Sequence, residues 1–336
     1  MEHYLAALEK ELRALVVSPE ARYDKYYGML RYHLGWVDAQ FVEGSGDSGK
    51  RLRPLLCLLS CQAVGGDWQR ALPAAAALEL VHNFSLIHDD IEDNSVERRG
   101  RATVWTVWGL AHGVNAGDGM FVLARLALHR LSERGVDPAK CAAVYRVFDA
   151  ATLALCEGQF LDLDFQARDD VTPADYVQMI RGKTAALIAA ATRIGAMVGT
   201  DASHHVDALA RFGENIGCAF QIADDVLGIW GDPAVTGKSA ATDIVTKKKS
   251  LPVLIGLNDV RVGAALRALY AQPTLTREDV ARVLALFDEV GVREQVQAYA
   301  DAFRTRALDA LDASGIENEA LQQLRALAYR MTQRVK

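Results

Sequence analysis

The stretch Ala71–Ile87 is a long apolar run, broken by Glu79, His82 and Asn83. It reads as a buried helix, because a helix apolar on most sides must be packed among other elements. It ends abruptly in His88-Asp89-Asp90-Ile91-Glu92-Asp93, with Glu97-Arg98-Arg99-Gly100-Arg101 close behind. Asp89 and Asp93 are one helical turn apart, which puts both carboxylates on one face, about 5–6 Å apart at Cβ. Like charges held that close repel unless a cation sits between them. Mg²⁺ suits the position, since it takes one or two carboxylates and completes its shell with water and phosphate oxygens. Arg98 and Arg99 fit the same idea, as a grip on a diphosphate whose other side is held by metal. Taken alone, such a charged helix end is as readily a solvated surface.

A second acidic pair weighs against that plain reading. Phe220-Gln221-Ile222-Ala223-Asp224-Asp225 also ends an apolar run of helical spacing. Two aspartate-tipped helices suggest one shared metal site. A third signal is Gly49-Lys50-Arg51-Leu52-Arg53-Pro54, a glycine-rich loop feeding cations into a helix start, which is a natural anion site.

Apolar residues recur at helical spacing almost everywhere, and alternating strand patterns are lacking. The expected class is all-α, one domain over residues 1–336, with no linker or composition break. Helices are expected over Tyr23–Val37, from Thr103 past Leu131 with a break at Gly113, over Pro138–Gln166, from Thr172 to Val198, and over Val206–Trp230. The net charge of −6, without a long basic stripe beyond Lys247-Lys248-Lys249, argues against nucleic acid as a partner. No apolar run approaches the roughly 20 residues of a membrane span. The five cysteines lie in apolar segments and read as buried thiols of a reducing cytoplasm. A cytoplasmic protein is the expectation.

Taken together, these motifs resemble the trans-isoprenyl diphosphate synthases, the polyprenyl synthetase family that includes farnesyl and geranylgeranyl diphosphate synthases. The resemblance runs from Lys50 to Pro252. Its further points are His82, Gly117-Asp118, Gly158-Gln159, Lys183-Thr184, Gly237-Lys238, Asp243 and Lys248. It implies a bundle of antiparallel helices around a central apolar cavity, and a homodimer. It also implies a prenyltransferase that joins isopentenyl diphosphate to an allylic diphosphate such as dimethylallyl, geranyl or farnesyl diphosphate. Mg²⁺ is the implied cofactor, with three ions when substrate is bound. Asp89 and Asp93 resemble first-wall metal ligands supported by Asp90. Asp224 resembles the second-wall ligand, with Asp225 and Asp243 beside it. Arg98, Lys183, Lys238 and Lys248 are implied contacts to the allylic diphosphate. Lys50, Arg53, His82 and Arg99 are the implied grip on isopentenyl diphosphate. Thr184 and Gln221 are implied to stabilise the allylic cation.

Two departures stand out: Gly228 where the family's second motif has a third Asp, and Ala102-Thr103 where the family has Pro-Thr. Gly228 is expected to weaken metal binding without abolishing activity, and Asp at 228 is expected to be tolerated. Chain length is implied by Phe84 and Ser85, five and four residues before Asp89: one bulky and one small residue resemble the geranylgeranyl pattern. The alternatives are a farnesyl diphosphate synthase, a class I terpene cyclase, and a non-catalytic subunit of a heteromeric synthase.

Overall fold

The computed structural model describes residues 1–44, 46–47, 49–231 and 241–332. Helix dominates them, as the periodicity requires, and they divide into two compact units. The first holds Met1–Asp149 and Ala191–Val206; the second holds Ala150–Ala190 and Asp207–Lys336.

The first unit starts with α1 (Glu2–Leu15), α2 (Asp24–His33), α3 (Leu52–Ala63) and α4 (Leu72–Glu92). Pro73 lies in the first turn of α4, where its missing N–H is harmless. Every residue from Leu72 to Val81 is buried, which is why that run has almost no polar face. Helix α4 packs along α6 (Leu110–His129) and against α3 and α1. After α4, Glu97–Arg98 and Arg101–Ala102 pair as a tiny antiparallel hairpin, β1 and β2. Its turn residues, Arg99 (φ 53°) and Gly100 (φ 70°), both take left-handed backbone, the geometry that matches the twist of a two-residue hairpin. Periodicity cannot reveal strands this short.

Three expected boundaries move. Helix α2 stops at His33, and the chain turns at Gly35 (φ 83°) rather than running on to Val37. The expected break at Gly113 lies instead at Gly109, whose φ of 90° ends α5 (Val104–Trp108). Gly113 stays helical because it packs against Trp105, where a Cβ would stand 2.8 Å from the Trp105 Cβ.

The second unit takes up α7 (Pro138–Gln166) from Ala150 and includes α8 (Pro173–Ile180), capped by a reciprocal Thr172–Asp175 box. The single helix expected from Thr172 to Val198 is interrupted. A π-helical turn, Arg181–Ala185, separates α8 from α9 (Ala186–Gly199). Such turns inside a helix are rare and gather at functional sites. There follow α10 (Ser203–Trp230), α11 (Thr242–Val245), α12 (Leu251–Asn258), α13 (Gly263–Tyr270), α14 (Arg277–Glu289), α15 (Val292–Asp312) and α16 (Glu319–Thr332). Helix α12 is buried almost throughout and packs on α8, α13, α14 and α15. No described helix is long and apolar enough to cross a membrane. Cys57, Cys61, Cys141 and Cys218 are buried free thiols; Cys156, expected inside, is exposed.

Candidate active site

In the first unit the acidic motif forms the end of α4. The Asp93 N–H donates to the Asp89 carbonyl at 2.8 Å, so the two residues keep the one-turn spacing that aligns their side chains. Asp89 is half-buried and Asp93 exposed. Asp90 points elsewhere. Only 2% exposed, its Oδ1 accepts from Nε and Nη2 of Arg98, each at 2.8 Å. Burial pushes the Asp90 carboxyl up to about 6, and the Arg98 charge opposes the shift without cancelling it. Asp90 is therefore spent on fixing Arg98.

The basic residues of this unit gather. Gly49 has φ 82°, and a Cβ there would stand 2.6 Å from Arg99 Nη2. Only glycine lets the Arg99 guanidinium lie over the loop that precedes Lys50. His82 is held well below its ordinary value, first by burial and then by the nearby charges of Arg53, Arg99 and Arg98. A neutral imidazole among three guanidiniums suits an anion. His33, which sequence reasoning missed, joins the same cluster. Burial and the charges of Arg98, Arg99 and Arg51 push it down to about 3. Arg53 is half-buried and its charge acts on His82, and Lys50 is exposed.

Phe84 and Ser85 occupy the turn of α4 before the acidic end. The Phe84 ring lies 5.0 Å from His88 and 5.4 Å from Phe121 of α6, centroid to centroid. Ser85 is 8% exposed, and its hydroxyl donates to the His82 carbonyl at 2.8 Å.

In the second unit the π turn carries Lys183 and Thr184. Gly158 and Gly182 let two backbones touch: a Cβ on Gly158 would run into the Lys183 N–H, and one on Gly182 would stand 2.6 Å from the Ala154 carbonyl. The Lys183 ammonium pairs with Asp162 of α7. Thr184 Oγ1 donates to Gln221 Oε1 at 2.7 Å, and Gln221 Nε2 donates to Asp225 Oδ1 at 3.2 Å. Asp225 Oδ2 accepts from the Tyr176 hydroxyl and from the Leu251 N–H at 3.1 Å. Burial pushes the Asp225 carboxyl up, and the Lys248 charge and these donors oppose it. Both oxygens of Asp225 thus have protein partners. Asp224 and Lys248 are half-buried. Lys238 lies outside the described residues.

Gly228 has a neighbour that the sequence could not show. A Cβ there would stand 2.5 Å from Asp243 Oδ2 and 2.7 Å from its Cγ. The Asp243 carboxylate fills the place where a side chain at 228 would begin. Gly228→Asp must therefore displace the Asp243 carboxylate and set two carboxylates together. We expect it to cost about 1–3 kcal/mol of stability, read by urea unfolding. The double variant with Asp243→Ala is expected to recover most of that loss. Wild-type stability of Gly228→Asp alone would refute the crowding.

Residues 36–287 match the family described as polyprenyl synthetase. The chain is 42% identical over 287 residues to a geranylgeranyl diphosphate synthase of Mycobacterium tuberculosis, covering 84% of this chain and 80% of that protein. It is 37% identical over 311 residues to a (2E,6E)-farnesyl diphosphate synthase of Mycobacterium bovis, covering 91% and 85%. Among solved structures, a polyprenyl synthetase from Streptomyces coelicolor A3(2) superposes with a TM-score of 0.89 at 36% identity, covering 98% of each chain.

Proposed function

The chain belongs to the polyprenyl synthetase family and is a prenyltransferase, and from that premise we propose that its product is geranylgeranyl diphosphate. The reaction joins isopentenyl diphosphate to an allylic diphosphate. The allylic C–O bond breaks, diphosphate leaves with the bonding pair, and the cation is captured by the double bond of isopentenyl diphosphate. Loss of a proton then gives a chain five carbons longer, and the released diphosphate is its acceptor.

Each part of the chain has a role in that sequence. Lys50, Arg53, His82 and Arg99 hold isopentenyl diphosphate. The support is the gathering of Arg53 and Arg99 around His82, which is kept neutral so that it can accept or donate a hydrogen bond. Arg98, Lys183, Lys238 and Lys248 hold the allylic diphosphate and stabilise the charge that builds on it as it leaves. Arg98 is pre-set by Asp90, and Lys183 by Asp162. Asp89, Asp93 and Asp224 are the metal ligands; Asp90 and Asp225 stand behind them, because Arg98 engages Asp90 Oδ1 and protein donors take up both oxygens of Asp225. Carboxylate oxygens at a half-exposed helix end fit Mg²⁺, which prefers hard donors and shares its shell with phosphate. When bound, Mg²⁺ supplies charge neutralisation for the leaving group. Thr184 and Gln221 stabilise the cation through oxygen dipoles. The reaction needs apolar surroundings that keep out water, which would quench the cation to an alcohol.

We also propose that two copies associate, in the cytoplasm and as one domain each. Leu110, Val114, Val122 and Leu126 repeat at multiples of four along α6 and are 41–57% exposed, a stripe of the kind that marks an interface.

The observation that carries the chain length is Phe84 beside Ser85, one turn before the acidic end and in ring contact with Phe121. The test is incubation with Mg²⁺, isopentenyl diphosphate and each allylic primer, with products read by mass spectrometry. A twenty-carbon product is expected. Phe84→Ala is expected to extend it beyond twenty carbons, because truncating the ring removes the bulk at that level. An unchanged spectrum assigns the length to another side chain; no product with any primer favours a non-catalytic subunit. A sizing column run on the same preparation reads the oligomeric state.

A further inference from the structure

A buried chain of hydrogen bonds in the second unit has a direction, and the direction matters for the reaction. Asp225 is 2% exposed, Tyr176 2% and Thr184 6%. At one end the Leu251 N–H can only donate, and it donates to Asp225 Oδ2 at 3.1 Å, where the Tyr176 hydroxyl also donates. The other oxygen, Oδ1, is left for Gln221. A carboxylate has no hydrogen to give, so the Gln221 amide presents its NH₂ to Asp225, at 3.2 Å. Its carbonyl oxygen must then face the other way, toward Thr184, whose hydroxyl donates to it at 2.7 Å. Thr184 has one hydroxyl hydrogen. Once that hydrogen is committed to Gln221, only lone pairs remain on Oγ1 for anything else that approaches.

We propose that Tyr176 and Asp225 are positioning residues for the reaction: they fix the direction of the Gln221 amide, and through it the hydroxyl hydrogen of Thr184. Thr184 then meets a developing allylic cation with an oxygen lone pair and never with an O–H. A flipped amide would donate its NH₂ to Thr184 Oγ1, leaving Thr184 to turn its hydrogen outward and repel positive charge. Fixing the dipole before the substrate ionises removes the cost of reorienting it during the step. Buried chains of this kind act as a unit, so that an exchange at one end is felt at the other. The inference rests on the prenyltransferase reading of the site, because that reading supplies the cation.

The experiment is steady-state kinetics on Tyr176→Phe, Asp225→Asn, Thr184→Ser, Thr184→Val and the double variant Asp225→Asn/Thr184→Val. Asp225→Asn puts a donor among donors and frees the amide to flip. It is expected to lower kcat by about ten- to a hundredfold, with both KM values within about threefold of wild type. Tyr176→Phe leaves the carboxylate in place and is expected to lower kcat by several-fold, again without a change in KM. Thr184→Ser keeps a hydroxyl and is expected to lose less than Thr184→Val, which loses as much as Asp225→Asn. The decisive outcome is the double variant: a relay acting through Thr184 makes it no slower than Thr184→Val alone. Additive losses, or KM values rising in step with the fall in kcat, would overturn the relay. If Asp225→Asn does not fold, Tyr176→Phe combined with Thr184→Val asks the same question. Turnover by the wild-type protein separately tests the underlying reading, so the two failures are told apart.

Discussion

Asp89→Ala and Asp224→Ala are each expected to lower turnover by about a hundredfold or more while leaving the helical circular dichroism unchanged. The expectation rests on where the two residues stand. Asp89 sits half-buried at the end of α4, one turn from Asp93, and Asp224 sits half-buried in the last turns of α10. Neither side chain props up the apolar core, which comes from Leu72–Val81 in one case and from Ile216, Ala219 and Ile222 in the other. Truncation should therefore spare the fold. The adjacent aspartates are the natural controls. Asp90 binds Arg98, and Asp225 binds Tyr176, Gln221 and the Leu251 N–H, so their loss is expected to disturb packing as well as rate. A rising Mg²⁺ requirement in Asp89→Ala would place the defect at the metal. If both variants keep near-normal turnover at limiting Mg²⁺, the proposal that the two motifs serve one metal–diphosphate site fails.

What the sequence revealed divides along a physical line. Features set by near neighbours were legible. The one-turn spacing of Asp89 and Asp93 is a local property of a helix, and the long, largely apolar run before it reads as a buried helix. The family likeness followed from motifs of this local kind, and the matched family and relatives agree with it. Features set by distant contacts were not legible. Gly109 and Gly113 look alike in sequence, yet one turns the chain and the other packs on Trp105. The π turn at Arg181–Ala185 interrupts a continuous apolar pattern, and only the helix-breaking Gly182 hinted at it. Two of the partners of Asp225 are Tyr176, 49 residues away, and Leu251, 26 residues away. No spacing rule covers such separations. Likewise nothing local says that Asp243 lies over Gly228.

The same limit hid the buried ion pair of the first unit, which leads to the second large effect. Glu79→Ala is expected to cost about 3–5 kcal/mol of stability, because it leaves the buried Arg51 only the looser approach of Glu9, at 3.8 Å. Glu79 is 2% exposed in the middle of α4, and Arg51 is 7% exposed at the entry to α3. Arg51 Nη1 lies 2.7 Å from Glu79 Oε1, which also accepts from Asn83 Nδ2 at 2.8 Å. Arg51 takes a left-handed backbone, φ 48° and ψ 37°, which a non-glycine residue adopts only when its surroundings hold it there. The ion pair is one such hold, and the residues on either side are Lys50 and Leu52-Arg53. The pair thus ties the geometry of the proposed isopentenyl diphosphate grip to the core of α4. Stability and grip can be separated. Arg51→Leu/Glu79→Leu removes both charges, and buried pairs replaced by apolar residues often lose little stability. The double variant is therefore expected to unfold in urea near the wild-type midpoint, yet to show a KM for isopentenyl diphosphate raised by about tenfold, since Lys50 and Arg53 lose their fixed entry. A double variant that recovers both stability and KM would show that the pair is only a structural brace.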